Sequence, residues 1–206
     1  MNRALVIRIV VAVVVLVFVI GAWTTDGRLN LVWLKFFSTA VTAATVVLGL
    51  WDYWLWRLPL AQRLPSVPRS VRGTWRGTLT SFWVNPDTGN RPPPKIVYLV
   101  IRQTATLLSV NLLTNESRSA SLFADISSID GTAALTYLYL NRPDMSVEHR
   151  SRIHHGSTVL DISGSPARRL RGRYWTDRDS KGELDFDARL NHLVDDFTEA
   201  KDAFGD

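Results

Sequence analysis

The chain has 206 residues, a net charge of +5 and 46% hydrophobic residues, which is enough for one ordinary domain and a short membrane segment. It contains no cysteine, and this excludes disulfide bonds, a thiol nucleophile and thiolate zinc sites. Four of the 24 basic and two of the 19 acidic residues lie in residues 1–56, so the remainder has a net charge of +3 and lacks the Lys/Arg stripe expected of a protein that binds a DNA or RNA polymer.

Two apolar segments open the chain. Residues 4–22 are almost entirely Val, Ile, Leu and Phe, and at about 1.5 Å per residue a helix of this length spans about 28 Å, close to a hydrocarbon core of roughly 30 Å. Residues 31–56 form a second run that ends in a belt of Trp and Tyr, and Ala40 and Ala44 in it recur at a helical spacing that allows close helix approach. We predict a hairpin of two transmembrane helices, because a cleaved signal peptide would have a shorter apolar core.

Flanking charges predict the orientation of this hairpin. The connecting loop, residues 23–30, holds Asp26 and Arg28 and has no basic excess, whereas Arg3 precedes the first helix and four arginines follow the second. The positive-inside rule then places both ends of the chain in the cytosol. We divide the chain into a two-helix membrane module (1–57), a Pro-rich linker (58–70) and a cytosolic domain (71–206).

Short alternating runs separated by turn residues follow the linker. They cover residues 71–84, 96–102, 107–113, 118–126, 133–141, 150–154, 158–162, 170–177 and 183–190. Strands at this spacing with no helices between them predict an all-β fold, an antiparallel barrel of about eight strands or a sandwich. A barrel of this size has an interior just wide enough for side chains or one small ligand. Residues 190–204 change to a helical period, which predicts a short amphipathic helix that caps the barrel.

Three of these runs place polar side chains on one face, because alternate residues of a strand share a face. The sets are Ser117, Ser119 and Ser121; Tyr137, Tyr139 and Asn141; and Tyr174, Thr176 and Arg178. If these faces line a closed interior they need polar partners, and a nucleotide offers rings to stack on tyrosine, base edges for Asn and Ser, and phosphates for Arg. The same pattern is also typical of a half-exposed sheet whose polar face meets water.

Signatures of catalysis are weak. His154 and His155 are adjacent, so on a strand they point to opposite faces and do not chelate one metal ion in the usual way. The sequence has no nucleophile elbow, no glycine loop for phosphate and no carboxylate pair at useful spacing. We therefore expect a binding protein with no catalytic residues, metal site or cofactor.

The motifs in their order along the chain resemble a known family. They are Gly73-Thr-Trp75, Ile101-Arg-Gln103-Thr104, the serine ladder, Tyr137-x-Tyr139-x-Asn141-x-Pro143, His155-Gly156-Ser157 with Leu160, Gly172-x-Tyr174-x-Thr176-Asp-Arg178, and Gly182. Together with the membrane hairpin they resemble the two-transmembrane, β-strand-rich effectors of bacterial CBASS (cyclic-oligonucleotide-based anti-phage signalling systems).

This resemblance implies a mechanism. A partner nucleotidyltransferase makes a cyclic dinucleotide on infection, the barrel binds it, and the protein self-associates and disrupts the bacterial inner membrane, which kills the infected cell. The candidate ligand-binding residues are then Tyr137, Tyr139 and Asn141 for the bases, Thr176 and Arg178 for the phosphates and ribose, and, as further candidates, Arg102 and Ser119. Trp75 and Gly172 are expected to be structural, one as a core anchor and the other at a close approach of two strands.

Two alternatives remain open from the residues. A membrane-tethered barrel that binds a lipid or other apolar ligand would turn Leu and Val, rather than Tyr, Asn and Ser, toward its interior. A membrane-anchored protein-interaction module would have no internal cavity and would expose an apolar patch.

Overall fold

The computed structural model describes residues 3–24, 32–64, 67–86, 88–129 and 131–206. The predicted connecting loop (23–30) lies outside the described residues apart from its first two positions, as do Leu31 and two residues of the predicted linker, Pro65 and Ser66. The chain divides into two compact units, one of Met1–Pro68 with Thr104–Thr106 and the other of Arg69–Gln103 with Leu107–Asp206.

The first unit contains two helices, α1 (Arg3–Thr24) and α2 (Val32–Tyr53), followed by single 3₁₀ turns at Leu55–Arg57 and Ala61–Arg63. Ala40 and Ala44 are buried, and a Cβ atom at Gly21 would lie 2.9 Å from Cγ of Phe36, so small residues let α1 and α2 approach closely. Among the described residues, one helical segment, Lys35–Tyr53, is long and apolar enough to cross a membrane. The apolar part of α1, Ile7–Trp23, is shorter.

The second unit is a closed antiparallel barrel of eight strands, in which each strand pairs with its neighbours in sequence and β1 pairs with β8. This confirms the predicted all-β barrel. The strands are β1 (Gly73–Ser81), β2 (Lys95–Gln103), β3 (Leu108–Leu113), β4 (Ser117–Ile129), β5 (Thr132–Pro143), β6 (His154–Ser163), β7 (Arg169–Thr176) and β8 (Lys181–Leu190).

The prediction of a separate strand at residues 150–154 is wrong. A 3₁₀ turn at Met145–Val147 continues into a hydrogen-bonded turn, in which the N–H of Ser151 donates to the carbonyl of Val147 at 2.9 Å. The chain becomes extended at His154 and continues as a single strand to Ser163. The nine predicted runs are therefore eight strands.

The main hydrophobic core fills the barrel. Trp75 is fully buried in it, and its indole N–H donates to the carbonyl of Val71 at 2.8 Å, as expected of an anchor. Gly172 marks the expected close approach of two strands, since a Cβ atom there would overlap the carbonyl oxygen of Val159 on β6.

The C-terminal helix, α3, spans Phe197–Phe204, later than the predicted start at Leu190. Asp196 sets its start, because the side chain accepts a hydrogen bond from the N–H of Glu199 at 2.8 Å. The expectation that it caps the barrel is also wrong. It packs with Val194 on the outer wall against Tyr98 and Val100, because β2 is apolar on both faces and its outer face needs a cover.

Candidate functional site

Strand β5 turns its tyrosines toward the barrel interior. Tyr137 and Tyr139 belong to the interior core, whereas Leu138 between them is 48% exposed on the outside. The alternation therefore has the phase expected for a polar-ligand receptor, and not the phase expected for a barrel that binds an apolar ligand.

Tyr137 lies deep in this core. Its side chain is 1% exposed, its ring centroid is 5.8 Å from that of Tyr139, and burial raises the pKa of its hydroxyl to about 12. Along β5, Tyr139 lies closer than Tyr137 to the end of the barrel at which β5 ends.

Tyr139 and Tyr174 each lie over a glycine on the neighbouring strand. Tyr139 pairs with Gly156, and a Cβ atom at that glycine would overlap Cζ and Oη of the tyrosine. Tyr174 pairs with Gly182, where a Cβ atom would lie 2.6 Å from Cε1 of the tyrosine. Burial raises the pKa of both hydroxyls. Each glycine thus leaves room for one tyrosine ring, and aromatic rings are groups on which bases stack.

The serine ladder and Asn141 also face inward. Ser119 is 3% exposed and pairs across the sheet with Asn141, two positions after Tyr139. Ser121 accepts a hydrogen bond from the N–H of Val110 at 2.9 Å, at the point where β3 and β4 stop pairing regularly. The hydroxyl-bearing Ser119 and the amide-bearing Asn141 are therefore cross-strand neighbours close to Tyr139. The hydroxyl of Ser121 instead binds the backbone of β3.

Thr176 and Arg178 shape the β7–β8 turn. The hydroxyl of Thr176 lies 2.8 Å from that of Ser180 and accepts from the N–H of Arg178 at 3.2 Å. The guanidinium of Arg178 donates to Ser151 Oγ and to the carbonyl of Arg152, both at 3.3 Å. Arg178 therefore holds the connection between β5 and β6, and Thr176 holds the turn that positions Arg178.

Arg102 lies on the other side of the barrel wall. Its position alternates with the inward residues of β2, and its guanidinium donates to Asp195 at 2.7 Å. The structure therefore separates Arg102 from the tyrosines, Asn141, Ser119 and the β7–β8 turn.

One end of the barrel contains a cavity. We call this end the mouth; it is where β1, β3, β5 and β7 end and the other strands begin. The cavity has a volume of about 230 Å³. It is lined by Leu79, Ser81, Pro92, Pro93, Lys95, Val97, Thr114, Glu116, Ser117, Val147, Ser151 and Tyr174. Tyr174 and Ser117 are the residues of the sequence motifs that line it, and none of the seven candidate ligand-binding residues does.

The charged group in this cavity was missed by the sequence analysis. Glu116 bridges Lys95 (2.9 Å) and Arg150 (2.7 Å), and these two cations hold the pKa of its carboxyl below the usual value. Lys95 pairs with inward-facing Leu79 and precedes Val97 and Leu99 by an even spacing, so it lies in the inward phase of β2. The sequence does not mark this phase, because β2 is apolar on both faces. Glu116 and Arg150 lie in connections, where no periodicity marks them.

Groups of three or more His, Cys, Asp or Glu side chains that could hold a metal ion are not found among the described residues. The residues at or near the mouth include two tyrosine rings, an amide and a hydroxyl on paired strands, and two cations that share one carboxylate. Such a set suits a planar, anionic, polar ligand.

Comparisons with known proteins agree with this chemistry. The family model of the Cap15 cyclic dinucleotide receptor domain matches residues 67–188. A protein from Staphylococcus schleiferi, CD-NTase-associated protein 15, is 27% identical over 152 residues, which cover 74% of this chain and 78% of that protein. These matches confirm the resemblance to CBASS effectors. Because the family model covers more than half of the chain, this protein belongs to the family of Cap15 cyclic dinucleotide receptor domains.

Proposed function

We propose that this protein is the effector of a CBASS anti-phage defence system and that its barrel binds a cyclic dinucleotide as a second messenger. The observation that carries the proposal is the extent of the family match, which begins before β1 and ends within β8. A match over nearly the whole barrel, rather than over one motif, supports the same type of ligand for this chain.

The mouth of the barrel is the proposed binding site. Tyr139 and Tyr174 offer ring faces to the two bases, and Asn141 with Ser119 offers hydrogen bonds to a base edge. Lys95 and Arg150 supply positive charge for the two phosphates. In this arrangement Thr176 and Arg178 act by holding the β5–β6 connection over the site.

The size of the cavity implies that the site opens when the messenger binds. Sites for drug-sized ligands have volumes of about 300–1,000 Å³, and a cyclic dinucleotide is at least as large as a drug-sized ligand. Residues 144–153 lie beside the 230 Å³ cavity and are held by Arg178, by the Arg150–Glu116 ion pair and by the N–H of Asp144, which donates to the carbonyl of Glu116 at 2.9 Å. A phosphate that takes over Lys95 and Arg150 from Glu116 would release part of this connection.

Binding can be measured with the full-length protein in detergent, titrated with a panel of cyclic dinucleotides by calorimetry. We expect saturable one-site binding of at least one of them, at least tenfold weaker in Tyr174→Ala. Tyr98→Phe is a matched control, because Tyr98 lies on the outer wall under α3. If no cyclic dinucleotide binds to the folded protein, the proposed function is wrong. If an Arg178→Ala variant stays folded and binds as tightly as the wild type, Arg178 does not contribute to the site.

The downstream steps concern the membrane. We propose that α1 and α2 both span the bacterial inner membrane with both ends of the chain in the cytosol, that a partner nucleotidyltransferase supplies the messenger, and that messenger binding causes self-association and membrane disruption. The apolar segment Lys35–Tyr53, the shorter apolar segment Ile7–Trp23 and the basic residues that flank the pair support this topology.

Dye release from lipid vesicles tests these steps. Vesicles that contain the full-length protein should release a trapped dye when the messenger is added, and vesicles with a binding-deficient Tyr174→Ala protein should not. Release of equal extent without messenger, or no release despite measured binding, would contradict membrane disruption as the output.

A further inference from the structure

The outer wall of strands β4–β7 carries an exposed apolar row. Phe123, Leu138 and Trp175 are in register across β4, β5 and β7, with Ser157 between them on β6. They are 57%, 48% and 49% exposed, and Leu122, next to Phe123 at an irregularity of β4, is 67% exposed. The β2–β3 part of the outer wall is covered by α3, whereas this part is covered by none of the described elements.

The size of this row indicates an interaction surface. Four large apolar side chains that are each about half exposed present roughly 500 Å², which is near the upper end of the largest apolar patches on soluble monomers. A standard interface buries about 800 Å² on each partner. The row is therefore large enough to form the centre of an interface, with polar residues around it as the rim.

One of the two rows beside it carries opposite charges at its two ends. The next row reads Asp125, Thr136, Val159 and Arg173 from β4 to β7. Asp125 and Arg173 are both exposed. Because the hydrogen bonds of an antiparallel ladder run perpendicular to the strands, each row crosses the wall at a right angle to the strand direction.

We propose that this wall binds the same wall of a second copy of the chain. The two copies are related by a two-fold axis that lies in the contact plane, runs parallel to the strands and passes between β5 and β6. This axis places each row of one copy against the same row of the other copy, with the β4 end opposite the β7 end. Phe123 then meets Trp175 of the partner subunit, and Asp125 meets Arg173 of the partner subunit. In the row on the other side, Leu140 meets His155 of the partner subunit. Like charges do not meet at any of these positions, so the charge pattern of the wall complements itself.

The sizes of the side chains also fit two convex surfaces. Two barrel walls come closest along the axis and separate toward the flanks. Leu138 and Ser157 lie on the two central strands, whereas Phe123, Trp175 and Arg173 lie on the outer strands β4 and β7. Long side chains thus occupy the positions where the gap is widest.

This pairing rests on the proposed function, which supplies messenger binding as its trigger and the membrane as its location. An interface whose apolar centre is roughly 500 Å² on each partner is weak between free proteins in solution. Anchoring both copies in one membrane raises their effective concentration, so a weak contact is sufficient for association there.

The test uses energy transfer between full-length proteins in lipid vesicles, with donor and acceptor labels attached beyond the C terminus. It is run with and without the cyclic dinucleotide panel, and messenger binding is measured in the same samples. Wild-type protein should show energy transfer in at least one of the two conditions. Asp125→Arg and Arg173→Asp should each lower it at least tenfold, because each places like charges opposite one another across the axis.

A mixture of the two single variants provides the decisive arm. In a mixed pair, Arg at position 125 faces Asp at position 173 on one side, and the native pair forms on the other, so energy transfer should return to near the wild-type value. Asp202→Arg, on the exposed face of α3, is the matched control and should leave energy transfer unchanged. Circular dichroism verifies that each variant is folded.

The outcomes separate this inference from the proposed function. Messenger binding with no energy transfer in the wild type overturns the pairing but leaves the receptor function intact. Energy transfer that survives both single substitutions assigns self-association to another surface and also overturns the pairing. Loss in both single variants without recovery in the mixture shows that the wall contacts lipid or a different protein, and again overturns it.

Discussion

Replacing Gly156 by alanine is expected to destabilise the barrel mainly through one side chain, the ring of Tyr139. An added Cβ atom would overlap Cζ and Oη of Tyr139 and would lie 2.8 Å from the carbonyl oxygen of Trp175. Carbon atoms pack at about 3.5–4.0 Å, so the ring must move by about 1 Å or more. Overpacking of this kind costs about 1–3 kcal/mol, and we expect about 2 kcal/mol for Gly156→Ala.

A double-mutant cycle isolates the contribution of the ring. In a Tyr139→Leu background the atoms that would overlap are absent, so Gly156→Ala should cost at least about 1 kcal/mol less than in the wild type. Gly172→Ala is the matched control, because the atom it meets is the backbone oxygen of Val159, which Tyr139→Leu does not remove. Its cost should be the same in both backgrounds.

Thermal unfolding of the full-length protein in detergent, followed by near-ultraviolet circular dichroism, gives the measurement. A loss of about 2 kcal/mol corresponds to a decrease in Tm of roughly 6 °C for a domain of this size. Because the displaced ring is one of the proposed stacking surfaces, Gly156→Ala should also weaken messenger binding. Equal costs of Gly156→Ala in the two backgrounds would refute the argument that Gly156 exists to make room for Tyr139.

Two further substitutions test the charged groups of the barrel. Glu116→Gln should increase the affinity for the messenger several-fold in calorimetry, because phosphate no longer competes with a carboxylate for Lys95 and Arg150. Since these cations lower the pKa of Glu116 in the folded state, its contribution to stability is present above the ordinary carboxyl pKa and is lost as the pH falls through the lowered value. Glu116→Gln should therefore flatten the acid limb of a plot of stability against pH, and an unchanged limb would contradict this ion cluster. Arg189→Met should cost about 1–3 kcal/mol in denaturant unfolding, because the guanidinium donates to the carbonyls of Arg72, Ser70 and Ala167 and lies 5.0 Å from the ring of Trp75. A neutral result would mean that these contacts contribute nothing to stability.

The barrel was predictable because its information is local. Period-two alternation and turn residues identified the strands, and the same period fixed which residues of β5 share a face. The wrong prediction of a separate strand at residues 150–154 also has a local cause. This stretch has the composition of a short strand, but a turn that begins at Met145 holds Arg150 and Ser151 in hydrogen bonds to Val147.

The parts of the candidate site that the sequence did not predict depend on long-range contacts. Strand β2 is apolar on both faces, because Tyr98 and Val100 pack under α3 while Val97, Leu99 and Ile101 face the interior. Alternation on such a strand does not reveal which phase is inward, so the sequence does not show that Arg102 lies on the outer wall, apart from the other candidate residues. The bridge from Glu116 to Lys95 and Arg150 joins positions 21 and 34 residues away, and no pattern in the sequence connects them.

The two ends of the barrel differ in a way that explains why the ligand site is expected at only one of them. At the end opposite the mouth, Trp75 fills the interior and Arg189 lies across its ring. Gln103 seals the same end, since its side chain accepts from the N–H of Val71 and donates to the carbonyl of Arg69, both at 2.9 Å. Those polar groups are paired within the protein.

At the mouth the interior carries glycines and polar side chains in place of a fully packed apolar layer. Glycines at positions 156 and 182 replace side chains, and a cavity of about 230 Å³ remains above Tyr174. Removing side-chain bulk and placing an ionised cluster at this end lowers the gain from packing, a cost that the large core below it offsets. A barrel selected for stability alone would fill this end as it fills the other, and the departure from that rule at the mouth is the physical reason to look for the ligand there.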